Sequence, residues 1–454
     1  MAHSSSLLPW LRSWGPFLVP VLYLGFLFWL EPADQLGDPP RAPWLGRLFY
    51  DDFDVTAMAL RGLNAALGRT AGITVNPSDR ERSEALSEEL DRPRPLERHY
   101  FLEYPHTALL MFRLGWWVQR VPTDVPAAIC DADHPDLVWH LPRNDKERAL
   151  WHQFRVAIRV YQLLMIGCLL GLMAVLRLGY ERGRRLSGPV ALLLLPAALY
   201  FTANRFDIVP ALLTALSLAC LGRRWLVASA VFLAIGTMVK VYPVLLVPLV
   251  VRYLWDNRKA ALVWTTAYGL TMAALLLPPL LQFGWESTWA PYHFQLSRAH
   301  LAVGTLYGRV LPEILAGQGV AARLFRTGSV VLVAAALSWH RPAGLAGLLR
   351  RGAVVLVVFV CLQVFYSPQW ILWLSPLLIP LARLDRRVLW LTVALDLATY
   401  VSFPMVFDSE FSLDPLTYMR VLILVALVAV LMQAEFGRKS SAPAECAAEC
   451  PAVA

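Results

Sequence analysis

Apolar residues along the chain gather into twelve runs separated by short polar connections. They fall at about 17 to 30, 156 to 176, 189 to 203, 207 to 221, 225 to 239, 241 to 251, 260 to 281, 325 to 339, 353 to 366, 370 to 382, 388 to 406 and 420 to 436. One long polar stretch, 31 to 155, lies between the first run and the second. Runs of this kind predict a polytopic, all-α membrane protein with about 12 transmembrane helices and a long first extracytoplasmic loop. Several runs fall short of the roughly 20 residues that cross about 30 Å of hydrocarbon. Those segments must borrow flanking residues, tilt, or form broken halves buried among other helices. The predicted organisation is a first transmembrane helix at 1–30, an extracytoplasmic loop with an amphipathic interfacial segment at 31–155, a helical bundle at 156–436, and a disordered cytoplasmic tail at 437–454.

Composition agrees with the pattern. With 57% hydrophobic residues, 16% charged residues and a mean hydropathy of +0.51, the chain is too apolar for a soluble protein of its length. Arg12 precedes the first run and no small-residue cleavage pattern follows it, so the sequence predicts a retained signal anchor.

Charge then orients the spans. Arginine and lysine cluster at Arg177, Arg182, Arg184 and Arg185, at Arg223 and Arg224, at Arg252, Arg258 and Lys259, at Arg341, Arg350 and Arg351, at Arg383, Arg386 and Arg387, and at Arg438 and Lys439. These clusters fall at every second connection, which places them and both termini on the cytoplasmic side. The segment 31 to 150 then faces outward; it carries 20 Asp and Glu against 14 Lys and Arg, whereas the whole chain carries +8. The basic balance is therefore a topology signal. Nucleic-acid binding is excluded, because scattered short-loop arginines form no single basic face.

Inside the outward segment, Asn76 to Arg98 reads as a solvated helix flanked by loop. The stretch from His99 to Phe112, continued by Trp116 and Trp117, moves from a polar turn into an amphipathic helix. Such a helix either lies in the membrane interface, anchored by its indoles, or packs on the loop domain. Cys168, Cys220 and Cys361 fall in apolar runs as small core residues. Cys130 has no evident disulfide partner, and Cys446 and Cys450 offer too few ligands for a structural zinc.

Unusual polar residues from distant parts of the chain project onto one face of this topology. They are Asp51, Asp52 and Asp54; Glu103-Tyr104-Pro105; Asn204-Arg205-Phe206-Asp207; Lys240-Val241-Tyr242-Pro243; Arg298; and Tyr366-Ser367-Pro368-Gln369-Trp370. All land at the external ends of helices, as a composite active site requires. Lys240 lies between two apolar runs, where an unpaired cation costs roughly 2.5 to 3.5 kcal/mol. It needs an anionic partner, either a ligand or an internal carboxylate such as Asp207 or Glu286.

Four of these stretches, Glu103-Tyr-Pro105, Asn204-Arg-Phe-Asp-Ile-Val-Pro-Ala-Leu-Leu213, Gly236-Thr-Met-Val-Lys-Val-Tyr-Pro-Val244 and Tyr366-Ser-Pro-Gln-Trp-Ile-Leu-Trp-Leu374, resemble in order the recurrent motifs of bacterial GT-C glycosyltransferases. The branch they resemble most is glycosyltransferase family 87, the polyprenyl-phosphate-mannose-dependent mannosyltransferase-like proteins. Two positions depart from that pattern: His106 stands where a second proline is usual, and Met58 stands where a tyrosine is expected. The resemblance implies a GT-C-like fold in a bacterial inner membrane, a catalytic aspartate on the first external loop, and a polyprenyl-phosphate-sugar donor.

Residue chemistry is compatible with that implication. Nucleotide sugars are confined to the cytoplasm and no phosphate-cradling glycine loop is present, so an external transfer needs a donor delivered through the membrane. A carboxylate takes the acceptor proton while the lipid phosphate leaves; Asp54 is the first choice of base, with Asp51 and Asp52 as rivals. Any one of the three could instead cap a helix, and Asp51 with Asp52 could hold a divalent ion such as Mg or Mn, although a third ligand is missing. Arg298, Lys240 and Arg205 are candidates for the donor phosphate. Glu103, Tyr104, His106, Tyr242, Tyr366, Gln369 and Trp370 are candidates for the sugar and acceptor. Asn204 and Asp207 are expected to be structural, closing a turn and orienting Arg205. The acceptor is a hydroxyl of a lipid, glycan or protein.

Other functions share parts of this pattern. A lipid-linked glycan polymerase or ligase differs in using a diphosphate-linked oligosaccharide. A lipid or sugar transporter should show internal repeats, which the sequence lacks. A non-catalytic scaffold in envelope assembly would keep the fold and lose the Asp and Arg pair.

Overall fold

The computed structural model describes residues 7–30, 48–49, 58–59, 62–63, 105–119, 145–180, 189–297, 320–363, 367–405 and 414–436. Among these residues the chain is helical, without strands. In order, α1 is Leu7–Leu30, α2 His106–Trp117, α3 Asp145–Tyr180, α4 Pro196–Asn204, α5 Ile208–Gly222, α6 Leu226–Val239 and α7 Val247–Leu254. Next come α8 Arg258–Ser297, α9 Val320–Trp339, α10 Gly344–Cys361, α11 Ile371–Ala382, α12 Arg386–Tyr400 and α13 Asp414–Phe436. Short 3-10 turns at Pro189–Leu194, Tyr242–Leu246 and Pro368–Trp370 lead into α4, α7 and α11.

Where described, the apolar runs of the sequence lie in helices or in the short 3-10 turns that lead into them, but the helices differ in reach. Among the described residues five are long and apolar enough to cross a membrane: His152–Gly179, Arg258–Gln282, Gly344–Cys361, Arg386–Met405 and Pro415–Phe436. A sixth span results if α4 and α5, bent by 109° at their junction, count as one broken crossing. The remaining apolar helices, such as Leu226–Val239 and Pro368–Ala382, are shorter. The runs 189 to 203 and 207 to 221, expected as two crossings, therefore form a bent pair. The helix α3 begins at Asp145, inside the stretch assigned to the loop.

The surface has the polarity of a chain embedded in lipid. Leu22, Leu262, Leu270, Leu281, Leu332, Leu422 and Val425 are exposed on the outer faces of helices, while Gln162, Thr214, Ser217 and Ser229 are buried within the bundle. Buried hydroxyls find partners between helices: the Ser217 and Ser229 hydroxyls lie 3.2 Å apart, Trp264 Nε1 donates to Ser229 Oγ at 3.1 Å, and Tyr268 donates to Thr237 Oγ1 at 3.1 Å. These bonds tie α6 to α5 and α8 where an unmet polar group would be costly.

Contacts divide the bundle into two ends. At one end Arg223 donates to the Leu178 carbonyl, Arg252 to the Trp339 carbonyl, Arg341 to Asp256 and Arg387 to Gln433. These residues lie in, or within a turn of, the connections that the sequence marks as basic. Arg350 and Arg351 differ from expectation: both are buried inside α10, not in a loop. Glu435 of α13 meets Arg351 at 2.8 Å and Arg350 at 3.5 Å, and Arg351 Nη1 also donates to the Leu337 carbonyl at the end of α9 at 2.7 Å. A buried carboxylate holding two arginines accounts for charge within an apolar helix.

Asp396 of α12 is buried, and its two carboxylate oxygens accept from the backbone N–H groups of Ala197 and Ala198, each at 3.0 Å. Pro196 opens α4 and supplies no N–H of its own. Asp396 thus serves from a distant helix as the cap that α4 lacks locally.

Candidate functional site

Of the polar residues singled out in the sequence, the described ones at 204 to 207, 240 to 243 and 367 to 370 lie at the opposite end. The chain leaves α4 at Asn204, passes through Arg205 in an extended conformation (φ −136°, ψ 155°), and enters α5 after Asp207. Lys240 caps the C-terminal end of α6 in a similar extended conformation (φ −155°, ψ 132°). These two breaks face each other. Lys240 Nζ donates to Asp207 Oδ1 at 2.6 Å, with Asp207 fully buried and the lysine side chain 19% exposed. Asp207, one of the two carboxylates open to Lys240 in the sequence, is thus in direct contact with it.

Trp373, which the sequence reading did not single out, is the second donor to that carboxylate. Its Nε1 lies 2.5 Å from Asp207 Oδ1. Its ring stacks on Tyr242 with centroids 4.4 Å apart and planes 10° apart, and on Trp370 at 4.9 Å and 28°. The Lys240 ammonium lies 4.7 Å from the Phe206 ring centroid and 5.3 Å from that of Trp373. An ammonium between a carboxylate and aromatic faces is held by both Coulomb attraction and the ring quadrupoles.

Several expected roles change in this geometry. Asp207 binds Lys240 and Trp373, so the cation it orients is Lys240, not Arg205. Asn204 Nδ2 donates to the Tyr200 carbonyl at 2.9 Å and to the Phe49 carbonyl at 3.3 Å. Tyr242, Gln369 and Trp370 are buried, and one face of the Tyr242 ring is covered by Trp373. The rings of Tyr242 and Trp370 stack on Trp373 and build a wall before they can offer a surface to a ligand. Asp51, Asp52, Asp54, Glu103, Tyr104, Arg298 and Tyr366 lie outside the described residues.

The chain flanking the three aspartates is nevertheless tied to this end. The Phe49 carbonyl accepts from Tyr23 Oη of α1 at 3.0 Å as well as from Asn204, and the Leu48 carbonyl accepts from Tyr400 Oη of α12 at 2.7 Å. The Phe49 ring packs edge-on against Phe26 at 5.1 Å. On the other side, Met58 and Leu63 are buried, and Trp116 Nε1 donates to the Ala59 carbonyl at 2.8 Å. Gly62 allows this approach: a Cβ there would sit 2.2 Å from the Phe112 carbonyl oxygen.

The helix α2 corrects the interfacial reading in part. Ala108, Leu109, Phe112 and Trp116 are buried, and Phe112 meets Phe206 edge-on at 5.3 Å. Gly115 packs so close to α3 that a Cβ would lie 2.7 Å from the Ala157 carbonyl. Trp116 is a buried packing residue, whereas Trp117 is 58% exposed.

His106 opens this helix, and burial lowers its pKa from the usual 6.5 to about 4. Since the folded state binds the proton less readily than the unfolded chain, His106 contributes stability that is full above pH 6.5 and lost as pH falls toward 4. His106→Gln is expected to flatten the acid limb of a thermal stability profile between those values relative to wild type. An unchanged acid limb would contradict this assignment.

Among the described residues, fold and site together define a helical protein with five or six helices of membrane-spanning length and a lysine–carboxylate pair set in an aromatic wall at one end. Compared with known proteins, the sequence matches no family model and no curated protein.

Proposed function

We propose that the protein is a GT-C-type membrane glycosyltransferase of the bacterial inner membrane. It moves a hexose, mannose in the first instance, from a polyprenyl-phosphate donor to a hydroxyl acceptor on the extracytoplasmic face. The observation that carries this reading is the placement of Lys240. A partly exposed ammonium, fixed by Asp207 and Trp373, stands at the end of the bundle where the chain on either side of Asp51, Asp52 and Asp54 is anchored. An acidic segment and a fixed cation are the minimum equipment for displacing a phosphate by a hydroxyl.

In this mechanism one aspartate, Asp54 first among the three, takes the acceptor proton as the hydroxyl oxygen attacks the anomeric carbon. The bond from that carbon to the phosphate oxygen breaks on the opposite face, and configuration inverts. Lys240, with Arg205 and Arg298, stabilises the charge gathering on the departing polyprenyl phosphate. Tyr242, Gln369 and Trp370 shape the wall beside the sugar, with Glu103, Tyr104, His106 and Tyr366 contributed by neighbouring segments. The basic connections at the other end of the bundle set its orientation toward the cytoplasm.

The 109° break between α4 and α5 favours a second reading, because broken helices flanking a buried charge pair also occur in transporters. One experiment separates the two. Purified protein in liposomes is supplied with polyprenyl-phosphate mannose or with a nucleotide-linked mannose, together with a membrane extract as the source of acceptor. The proposal expects mannose transfer from the polyprenyl donor alone. Movement of the intact donor across the bilayer without cleavage would replace it with the transporter reading.

A further inference from the structure

We infer that Trp373 is a positioning residue for Lys240, acting through the carboxylate of Asp207. This inference rests on the proposed glycosyl transfer, in which Lys240 faces the leaving phosphate.

The geometry assigns Trp373 two separable tasks. Its ring fills the wall between Tyr242 and Trp370. Its N–H meets Asp207 Oδ1, the same oxygen that receives Lys240, while Asp207 Oδ2 accepts no hydrogen bond among the described residues. The orientation of this buried carboxylate therefore depends on two donors converging on one oxygen, and Trp373 is one of them. Loss of the N–H frees the carboxylate to rotate, and with it the ammonium 2.6 Å away. A single-point contact of this kind suits a compact ammonium better than the planar fork of arginine. The chain makes that choice sparingly: of its 41 Lys and Arg residues, only Lys146, Lys240, Lys259 and Lys439 are lysines.

The scarcity of lysine supplies a readout that needs no donor substrate. A small membrane-permeant amine reagent, followed by mass spectrometry, gives the labelling of Lys240 relative to Lys259, which is exposed at the opposite end. Trp373→Phe keeps a ring in the wall and removes the N–H. It is expected to raise the Lys240 to Lys259 labelling ratio by about tenfold, the scale of one hydrogen bond to a charged group. Transfer by the folded variant should fall in kcat by about tenfold with KM nearly unchanged. Packing alone would leave both quantities as in wild type. If Trp373→Phe does not accumulate, benzothienylalanine at position 373 preserves the indole shape without its N–H and carries the same expectations. An unaltered labelling ratio in the folded variant overturns the inference. Absence of transfer by wild type, with the ratio raised as expected, removes the glycosyl-transfer reading and the catalytic part of the inference while leaving the structural link intact.

Discussion

Asp207→Ala is expected to destabilise the folded bundle by about 3–5 kcal/mol, the usual cost of removing one partner from a buried ion pair. The carboxylate is fully buried and receives both the Lys240 ammonium and the Trp373 N–H. Its removal strips the lysine of this counter-charge and leaves the indole donor without its acceptor. Among the described residues its neighbours are the rings of Phe206, Tyr242 and Trp373, which offer no substitute charge. Adding Lys240→Met to Asp207→Ala should recover much of the loss, because the charge and its partner are then removed together. Thermal unfolding in detergent, followed by the monodisperse fraction, measures the effect. A single variant as stable as wild type would show that the pair is solvated and incidental.

Glu435→Ala should have an effect of similar size, again about 3–5 kcal/mol, at the other end of the molecule. Glu435 is the carboxylate that Arg350 and Arg351 share within the bundle, at 3.5 and 2.8 Å. Arg351 retains its bonds to the Leu337 and Arg341 carbonyls, so Arg350 bears the larger share of the loss. The consequence is local as well as global: α13 loses its charged attachment to α10, and the chain near Phe436 should become sensitive to protease under conditions where wild type resists. Glu435→Gln, which preserves shape and one acceptor oxygen, should fall between the two. Equal protease resistance in all three proteins would refute this account of the contact.

The sequence made the helices legible because long apolar runs admit little else, and the described residues of these runs are helical in the structure. It did not make the crossings countable. A run of some fourteen residues such as Leu226–Val239 reads the same whether it spans alone, tilts, or packs as part of a broken unit. The bend between α4 and α5 was marked only by Asn204-Arg-Phe-Asp207, a polar tetrapeptide that reads equally well as a surface connection. The junctions of charge with helix were also obscured: the apolar run at 353 to 366 hid the fact that α10 begins at Gly344 and carries Arg350 and Arg351 inside it.

The site was legible at its charged members and obscure at its uncharged ones. Lys240 announces itself as a cation among apolar residues, and Asp207 was one of two partners in reach of the argument. Trp373 stood within the motif ending at Leu374 but with no role of its own, because an indole in an apolar run looks like core until its N–H is seen to meet a carboxylate 166 positions away. Asp396 was hidden for the same reason. Its function as a cap for α4 is a contact across 199 and 198 positions, which no local capping pattern records.

The central claim is that a carboxylate of the first loop removes the acceptor proton while the polyprenyl phosphate departs. The most direct measurement is mannose transfer per folded molecule from polyprenyl-phosphate mannose by wild type and by Asp54→Asn, Asp51→Asn and Asp52→Asn. The account predicts transfer by wild type and its loss by a factor of about 100 or more in one of the three, Asp54→Asn first among them, consistent with the contribution of a general base. Wild-type turnover in all three variants would contradict the aspartate base, and a folded wild type that transfers no sugar from this donor would contradict the glycosyltransferase itself.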